Sequence, residues 1–157
     1  DLYWLYGFNY YSEHTKGKEC VYFDIEEISE NGMNYSSHFL KNGTSGTIPY
    51  MGTFTLTLII EGTAVQKRTI YNNLHAVLRK DFSWPMDYHL IYSDYQNCSL
   101  FRIPKMLNGH GCMILLTDKP ARAGMPAACA NMYRNACNKD QMIKKIFDNE
   151  CTRPTGR

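Results

Sequence analysis

Apolar and polar side chains alternate along much of the first three quarters of the chain, and this period of two most limits the possible fold. In residues 53–60, Phe54, Leu56 and Leu58 occupy alternate positions, with threonines between them. Successive side chains of a β-strand point to opposite faces of a sheet, so the pattern predicts a strand with one buried face. The chain is therefore predicted to be mainly β.

The same pattern, together with the turn residues that interrupt it, predicts eight antiparallel strands. The Asn31-Gly32 pair favours a two-residue type I′ hairpin, and the glycine-rich segment 41–46 is predicted to be another turn. Residues 72–85 fit a helix or a strand equally well. The predicted strands are residues 2–11, 20–28, 33–41, 53–60, 64–71, 87–95, 98–103 and 112–117.

The last quarter of the chain has a helical pattern instead. Pro126 suits the first turn of a helix, which is predicted over residues 126–137. The spacing of apolar residues in 140–149 predicts a second helix. The C-terminal helices, about residues 126–150, are expected to pack on the strands before them.

These elements predict an eight-stranded antiparallel β-barrel with a C-terminal helix packed on it. The whole chain, residues 1–157, is expected to be one domain, with the barrel over about 2–118. Eight closed strands leave an interior that holds side chains or one small ligand. An immunoglobulin-type sandwich is the alternative, but the chain lacks its Cys-Trp-Cys arrangement and such a fold would not end in two helices.

Composition argues against several classes of function. A formal net charge of +2 is too small to indicate nucleic-acid binding, and no apolar run reaches the length of about 18 residues that indicates a membrane span. The five histidines have no nucleophile or metalloprotease motif beside them. We therefore expect no enzyme activity, no cofactor and no metal. Asp1 lies directly before a predicted strand, so the chain is expected to be a processed, mature form.

Six cysteines indicate an oxidising compartment. Their even number and wide spacing favour three disulfides in a secreted protein, and buried free thiols in a cytosolic protein are the alternative. Spacing alone does not choose the pairing. Sequons at Asn34, Asn42 and Asn97 support export, and Asn97 is the weakest because a cysteine follows it. Asn34 and Asn42 are predicted glycosylation sites.

Two segments carry a resemblance to a known family. Residues 91–98 (IYSDYQNC) and 111–118 (GCMILLTD) resemble the tick salivary lipocalins, and the similarity continues through the last cysteines. Residues 3–11 resemble the family's first strand. The resemblance implies a lipocalin barrel and two disulfides, Cys20–Cys151 and Cys98–Cys129. With these two pairings, Cys112 and Cys137 would form the third.

The resemblance also implies where a ligand's charge would be met. Many such lipocalins scavenge histamine or serotonin, and a buried ammonium needs a carboxylate beside it. Where the amine binders have inward acids, this chain has Tyr88, Ser99 and Met113. We therefore expect a small hydrophobic guest, a sterol such as cholesterol, a fatty acid or an eicosanoid, and a role in modulating host immunity.

Two other functions stay open. One is an amine scavenger, and the other is an inhibitor that binds a host immune protein or cell and uses the barrel as a scaffold. In each case the chain is expected to be a monomer. For an acidic head group, Arg79, Lys80 and Arg102 are the candidate partners, although solvated surface positions are expected for them.

Alternation predicts the cavity wall, with plain core packing as the alternative for each residue. The predicted wall consists of Trp4, Tyr6, Phe8, Tyr10, Phe54, Leu56, Leu58, Tyr88, Leu90, Ser99, Phe101, Met113 and Leu115.

Overall fold

The structure is a computed structural model that describes residues 2–12, 14–55, 58–61, 64–67, 73–94, 96–137 and 144–152. Strands β1 to β10 are Leu2–Phe8, Glu19–Ile28, Gly32–Lys41, Thr44–Thr55, Leu58–Glu61, Ala64–Lys67, Asn73–Leu78, Met86–Ser93, Cys98–Ile103 and Gly111–Leu116. Helices α1 (Asp118–Ala123) and α2 (Ala127–Ala136) follow, and then the short strand β11, Lys144–Lys145.

Eight of these strands form the predicted antiparallel barrel. Their order is β1, β2, β3, β4, β7, β8, β9 and β10, and pairing of β10 with β1 closes the sheet. β5 and β6 form a separate two-stranded ribbon. The membership of the barrel differs from the prediction, because its fourth strand is Thr44–Thr55 rather than 53–60. Gly46, Pro49 and Gly52 hide the alternation in that stretch. The ambiguous segment 72–85 contains barrel strand β7.

The two Asn-Gly pairs have different roles. Asn42 and Gly43 both have positive φ, 52° and 77°, and form the two-residue turn between β3 and β4. The predicted type I′ turn at Asn31-Gly32 is wrong, because neither residue has positive φ. Gly32 is needed for close packing instead, since a Cβ there would lie 2.2 Å from the carbonyl oxygen of Gly52 on β4.

A β-bulge in β1 changes which side chains face inward. Leu5 pairs with Leu115 and Phe8 with Met113, so Tyr6 is an extra residue on one side of the ladder. Odd-numbered residues face the interior before the bulge and even-numbered residues face it afterwards. The prediction that Trp4 and Tyr6 face the interior with Phe8 is therefore wrong.

The helices and the C-terminal segment cover one outer side of the barrel. Trp4 is fully buried there, and its ring contacts Tyr22 and Phe147 at centroid distances of 5.3 and 5.0 Å. Its Nε1 donates a hydrogen bond to Asp118 at 2.9 Å. The predicted C-terminal helix is confirmed as α2, whose Tyr133 is buried in the same cluster.

The predicted helix over 140–149 is wrong for its described part, 144–149. Lys144 and Lys145 pair with β1 as a strand, and residues 146–149 are not helical. Backbone groups on the barrel satisfy this segment, since the amide of Ile146 donates to the carbonyl of Tyr6 and its carbonyl accepts from Cys20. Residues 140–143 lie outside the described part of the chain.

All three expected disulfides are present, Cys20–Cys151, Cys98–Cys129 and Cys112–Cys137. Each joins a barrel strand to the region after β10. Within the described residues, no helix has the length and apolar character needed to cross a bilayer.

Candidate ligand-binding site

The barrel encloses an interior cavity. Its volume is about 80 Å³, measured as the space open to the centre of a water-sized sphere. All eight barrel strands and the β1–β2 loop supply its wall. The wall residues are Tyr3, Leu5, Tyr10, Ser12, His14, Thr15, Val21, Phe23, Ile25, Met33, Tyr35, Ser37, Tyr50, Leu74, Tyr88, Phe101, Met113 and Leu115.

Among these described residues, none carries a formal charge at neutral pH. His14 is the only one whose ionisation lies near that range, and burial lowers its pKa, helped by the positive charge of Lys18. Its imidazole is therefore neutral at pH 7. The interior thus offers apolar surface and hydroxyl groups to a guest.

Five predicted wall residues lie on the cavity, namely Tyr10, Tyr88, Phe101, Met113 and Leu115. Met113 and Tyr88 are two of the three positions where the resemblance implied an acid in amine binders.

Four more predicted residues face inward but lie beyond the cavity wall. Phe8 belongs to the apolar cluster that includes Met113. Residues directly opposite each other in an antiparallel pair share a face, and the other three lie opposite wall residues. These pairs are Phe54 with Leu74, Leu90 with Phe101, and Ser99 with Leu115.

The remaining predictions lie elsewhere. Trp4 and Tyr6 belong to the outer cluster or pack on it. Leu56 lies outside the described residues, and only the backbone of Leu58 is described.

Sequence reasoning missed all of the wall residues on β2, β3 and β4. Val21, Phe23 and Ile25 alternate visibly along β2, so the same period-two signal could have identified them. Tyr35 and Tyr50 carry a weaker signal, because serines, glycines and a proline surround them.

Tyrosine hydroxyls are the main polar groups inside the barrel. Burial raises the pKa of Tyr50 to about 12, and it raises the pKa of Tyr10, Tyr35 and Tyr88 as well. These side chains are therefore neutral donors at physiological pH. The Tyr50 hydroxyl lies 2.8 Å from Nδ1 of His14.

The hydroxyls of Tyr10, Tyr35 and Tyr88 make no hydrogen bond with any residue that the structure describes. Tyr35 is only 6% exposed, and its ring stacks on that of Tyr50 at a centroid distance of 5.3 Å. Buried polar groups in native proteins nearly always find a partner. The three hydroxyls therefore have hydrogen-bonding capacity left for a guest or for water.

The β1–β2 loop closes one end of the cavity through His14. Its ring meets the ring of Trp84 edge-on at 5.1 Å, and Lys18 donates to its carbonyl at 2.9 Å. His14 thus stands between the cavity and the outside.

The basic candidates for an acidic head group lie away from the wall. Arg79 donates to Glu26 at 2.6 Å and to the carbonyls of Tyr35 and Tyr50. Arg102 donates to the carbonyl of Ala136 on α2. Lys80 is exposed. None of the three is a wall residue of the described cavity.

A family model described as tick histamine binding protein matches residues 1–153. No curated protein sequence matches the chain.

Solved structures share the fold at low sequence identity. The serotonin complex of AM182 has a TM-score of 0.66 and 14% identity, and the alignment covers 96% of this chain and 84% of that one. Japanin from Rhipicephalus appendiculatus bound to cholesterol has a TM-score of 0.63 and 13% identity, with 96% and 94% covered. Lobster apocrustacyanin A1 has a TM-score of 0.59 and 10% identity, with 94% and 76% covered. The likeness confirms the predicted lipocalin-type barrel.

Proposed function

Because this chain belongs to the tick histamine-binding protein family, we propose that it holds a small guest inside its barrel and that the guest is apolar rather than an amine. The proposal includes secretion into the host and modulation of its immune or inflammatory response. The family, three disulfides and the exposed sequon at Asn42 support an extracellular location.

The uncharged wall is the observation that carries the proposal. An ammonium ion moved from water into this interior would lose its hydration and meet no carboxylate among the described wall residues. An unpaired buried charge is very unfavourable. Met113 and Tyr88 stand where acids are implied in the amine binders of the family. An apolar guest has no such cost and gains about 25 cal/mol for each Å² of apolar area removed from water.

The tyrosine hydroxyls favour a guest that also has a polar end. Tyr10, Tyr35 and Tyr88 can donate to a hydroxyl or carbonyl oxygen without needing a charge on the guest. A free carboxylate is less well suited, because no cationic side chain lies on the described wall. A sterol such as cholesterol, whose polar end is an uncharged hydroxyl, therefore fits this wall better than a fatty acid or an eicosanoid.

The cavity has to widen for a guest of that size. A volume of 80 Å³ corresponds to about five to eight water molecules at about 10–15 Å³ each. Met113 and Met33 are suited to making room, because methionine has three rotatable bonds and fills irregular spaces. Binding of a sterol is therefore expected to move wall side chains rather than fill a preformed space.

The direct test is to identify what occupies the interior. We expect native mass spectrometry of the purified protein, followed by solvent extraction, to yield a neutral lipid. Titration of stripped protein should give saturable binding of cholesterol and no heat with histamine or serotonin. Micromolar or tighter binding of either amine would contradict the proposal.

A protein-binding inhibitor is the second candidate, and the small free volume favours it. In that case the barrel is a packed scaffold, and its surface loops bind the host protein. Protein that purifies empty and takes up no lipid at any concentration would support this candidate over the first.

Met113→Glu tests the position of the guest. The new acid would be buried against an apolar ligand, so the affinity for cholesterol is expected to fall by about tenfold or more. Isothermal titration measures this, and Met113→Leu should keep the affinity because the site stays apolar.

Met51→Glu is the matched control for that change. Met51 lies between Tyr50 and Gly52 on β4, is only partly buried, and is not a wall residue of the cavity. Met51→Glu should therefore leave the affinity for cholesterol unchanged. If Met113→Glu bound the lipid as tightly as Met51→Glu, Met113 would not touch the guest.

A further inference from the structure

We propose that the end of the barrel at which the β1–β2 loop lies docks on an anionic lipid surface. This end, here called the mouth, consists of the loops 9–18, 79–85 and 104–110 and the turn 42–43, which antiparallel strand order places together. The inference concerns how the protein meets a membrane, and it stands whether or not the interior holds a lipid.

Large apolar side chains are exposed mainly at the mouth. Phe82 is 64% exposed, Trp84 47% and Leu107 38%, and Tyr11 is exposed beside them. Among the described residues, Ile28 at the opposite end is the other exposed large hydrophobic side chain.

The backbone holds three of these side chains in an uncommon conformation. Phe82, Trp84 and Leu107 have φ values of 59°, 56° and 48°. Bulky residues rarely adopt positive φ, and such conformations concentrate where a function requires them. Glycine would be the unstrained choice at each of these positions if they were only turns.

The charge of the mouth complements an anionic surface. In sequence, its segments contain five basic residues, Lys16, Lys18, Arg79, Lys80 and Lys105, against two acids, Glu13 and Asp81. Arg79 is paired with Glu26 of β2, which leaves four lysines against the two acids. Of the basic residues, Lys80 and Lys105 are exposed on the same loops as the apolar tips.

The opposite end has the reverse sign in two of its connections. The β2–β3 connection, residues 29–31, contains Glu30, and the β8–β9 connection, residues 94–97, contains Asp94; neither contains lysine or arginine. An anionic surface would therefore attract the mouth rather than these two connections.

Aromatic tips among lysines suit a membrane interface in particular. Tryptophan and other aromatic rings prefer the headgroup level, and lysine stems reach the lipid phosphates. A groove of about 440 Å³ between Trp84, Met86, Met106 and Tyr11 shares His14 and Ser12 with the interior cavity. A docked mouth would therefore bring bilayer lipid next to the cavity entrance.

Intrinsic fluorescence can test the docking, because the two tryptophans differ in exposure. Trp4 is fully buried, whereas Trp84 is 47% exposed. On adding sterol-free phosphatidylcholine vesicles that contain phosphatidylserine, we expect a blue shift from Trp84 and quenching by brominated acyl chains. Vesicles without phosphatidylserine should bind at least about fivefold more weakly, since each nearby lysine contributes about 1 kcal/mol at an anionic surface.

Variants at the two ends of the barrel distinguish docking through the mouth from nonspecific hydrophobic adsorption to vesicles. Phe82→Ser with Leu107→Ser, which keeps Trp84 as the reporter, should weaken vesicle binding about tenfold or more. Lys80→Glu with Lys105→Glu should remove the preference for phosphatidylserine. Ile28→Ser removes an equally exposed side chain from the far end and should have no effect.

No association with phosphatidylserine vesicles in a sedimentation assay would overturn the proposal, and so would an equal loss from Ile28→Ser. Because these vesicles contain no sterol, the result is separate from the test of the interior guest. Cholesterol binding without vesicle binding would leave the proposed function intact and reject the docking surface.

Discussion

Trp4→Ala is expected to lower the free energy of unfolding by about 3–5 kcal/mol, as large-to-small changes of buried aromatic residues do, and to leave the affinity for an interior guest unchanged. The indole is completely buried between the barrel and the C-terminal segment, against Tyr22 and Phe147. The change also removes the hydrogen bond to Asp118. Urea unfolding followed by circular dichroism, combined with cholesterol titration under native conditions, measures both quantities.

Leu5→Ala is the control on the same strand. Leu5 is 1% exposed and lies on the cavity wall, so the change should cost about 2–5 kcal/mol of stability and also alter guest affinity. A loss of affinity in folded Trp4→Ala that equals the loss in Leu5→Ala would contradict the outward position of Trp4.

Removing the Cys20–Cys151 disulfide is expected to lower the free energy of unfolding by about 5 kcal/mol, by the dependence of chain entropy on loop length. The bond closes a loop with a sequence separation of 131 residues. It also holds the segment that carries Phe147 over the outer cluster. Non-reducing denaturation of Cys20→Ser with Cys151→Ser measures the effect.

The Cys112–Cys137 disulfide provides the comparison. Its sequence separation is only 25 residues, and the same model gives about 3.5 kcal/mol for its removal. The test is whether removing the Cys20–Cys151 bond lowers the free energy of unfolding more than removing the Cys112–Cys137 bond. If the pair with the short loop cost as much stability as the pair with the long loop, loop closure would not be the main source of stabilisation.

The architecture could be predicted from the sequence because alternation is a local property. A strand with one buried face shows a period of two wherever it lies, and the cysteine-bearing segments resembled a family that fixes the disulfide pairing. Thus the eight-stranded barrel, the helix α2 and all three disulfides could be predicted from the sequence.

The cavity wall was harder to predict because alternation does not say which face is inward. In β1 both faces are buried, and the bulge at Tyr6 exchanges them partway along the strand. The alternation of Trp4, Tyr6, Phe8 and Tyr10 in the sequence therefore mixes outer and inner positions.

The secondary structure of the segment after α2 could not be predicted from local sequence either. The apolar spacing of residues 140–149 fits a helix, yet Lys144 and Lys145 pair with β1. Tertiary hydrogen bonds and the bond at Cys151 outweigh helix propensity there, since propensity is a weak preference that packing overrides.

In β1, adjacent residues serve different purposes, because some contact the guest and others hold the outer cluster together. Tyr3 and Leu5 touch the cavity, while Trp4 between them fastens the outer cover. Substitutions at Tyr3, and volume-conserving ones at Leu5, can therefore change the choice of guest while Trp4 continues to hold the outer cluster. The ligand specificity of such a barrel can thus change through the inward residues of β1 while its outward residue Trp4 stays the same.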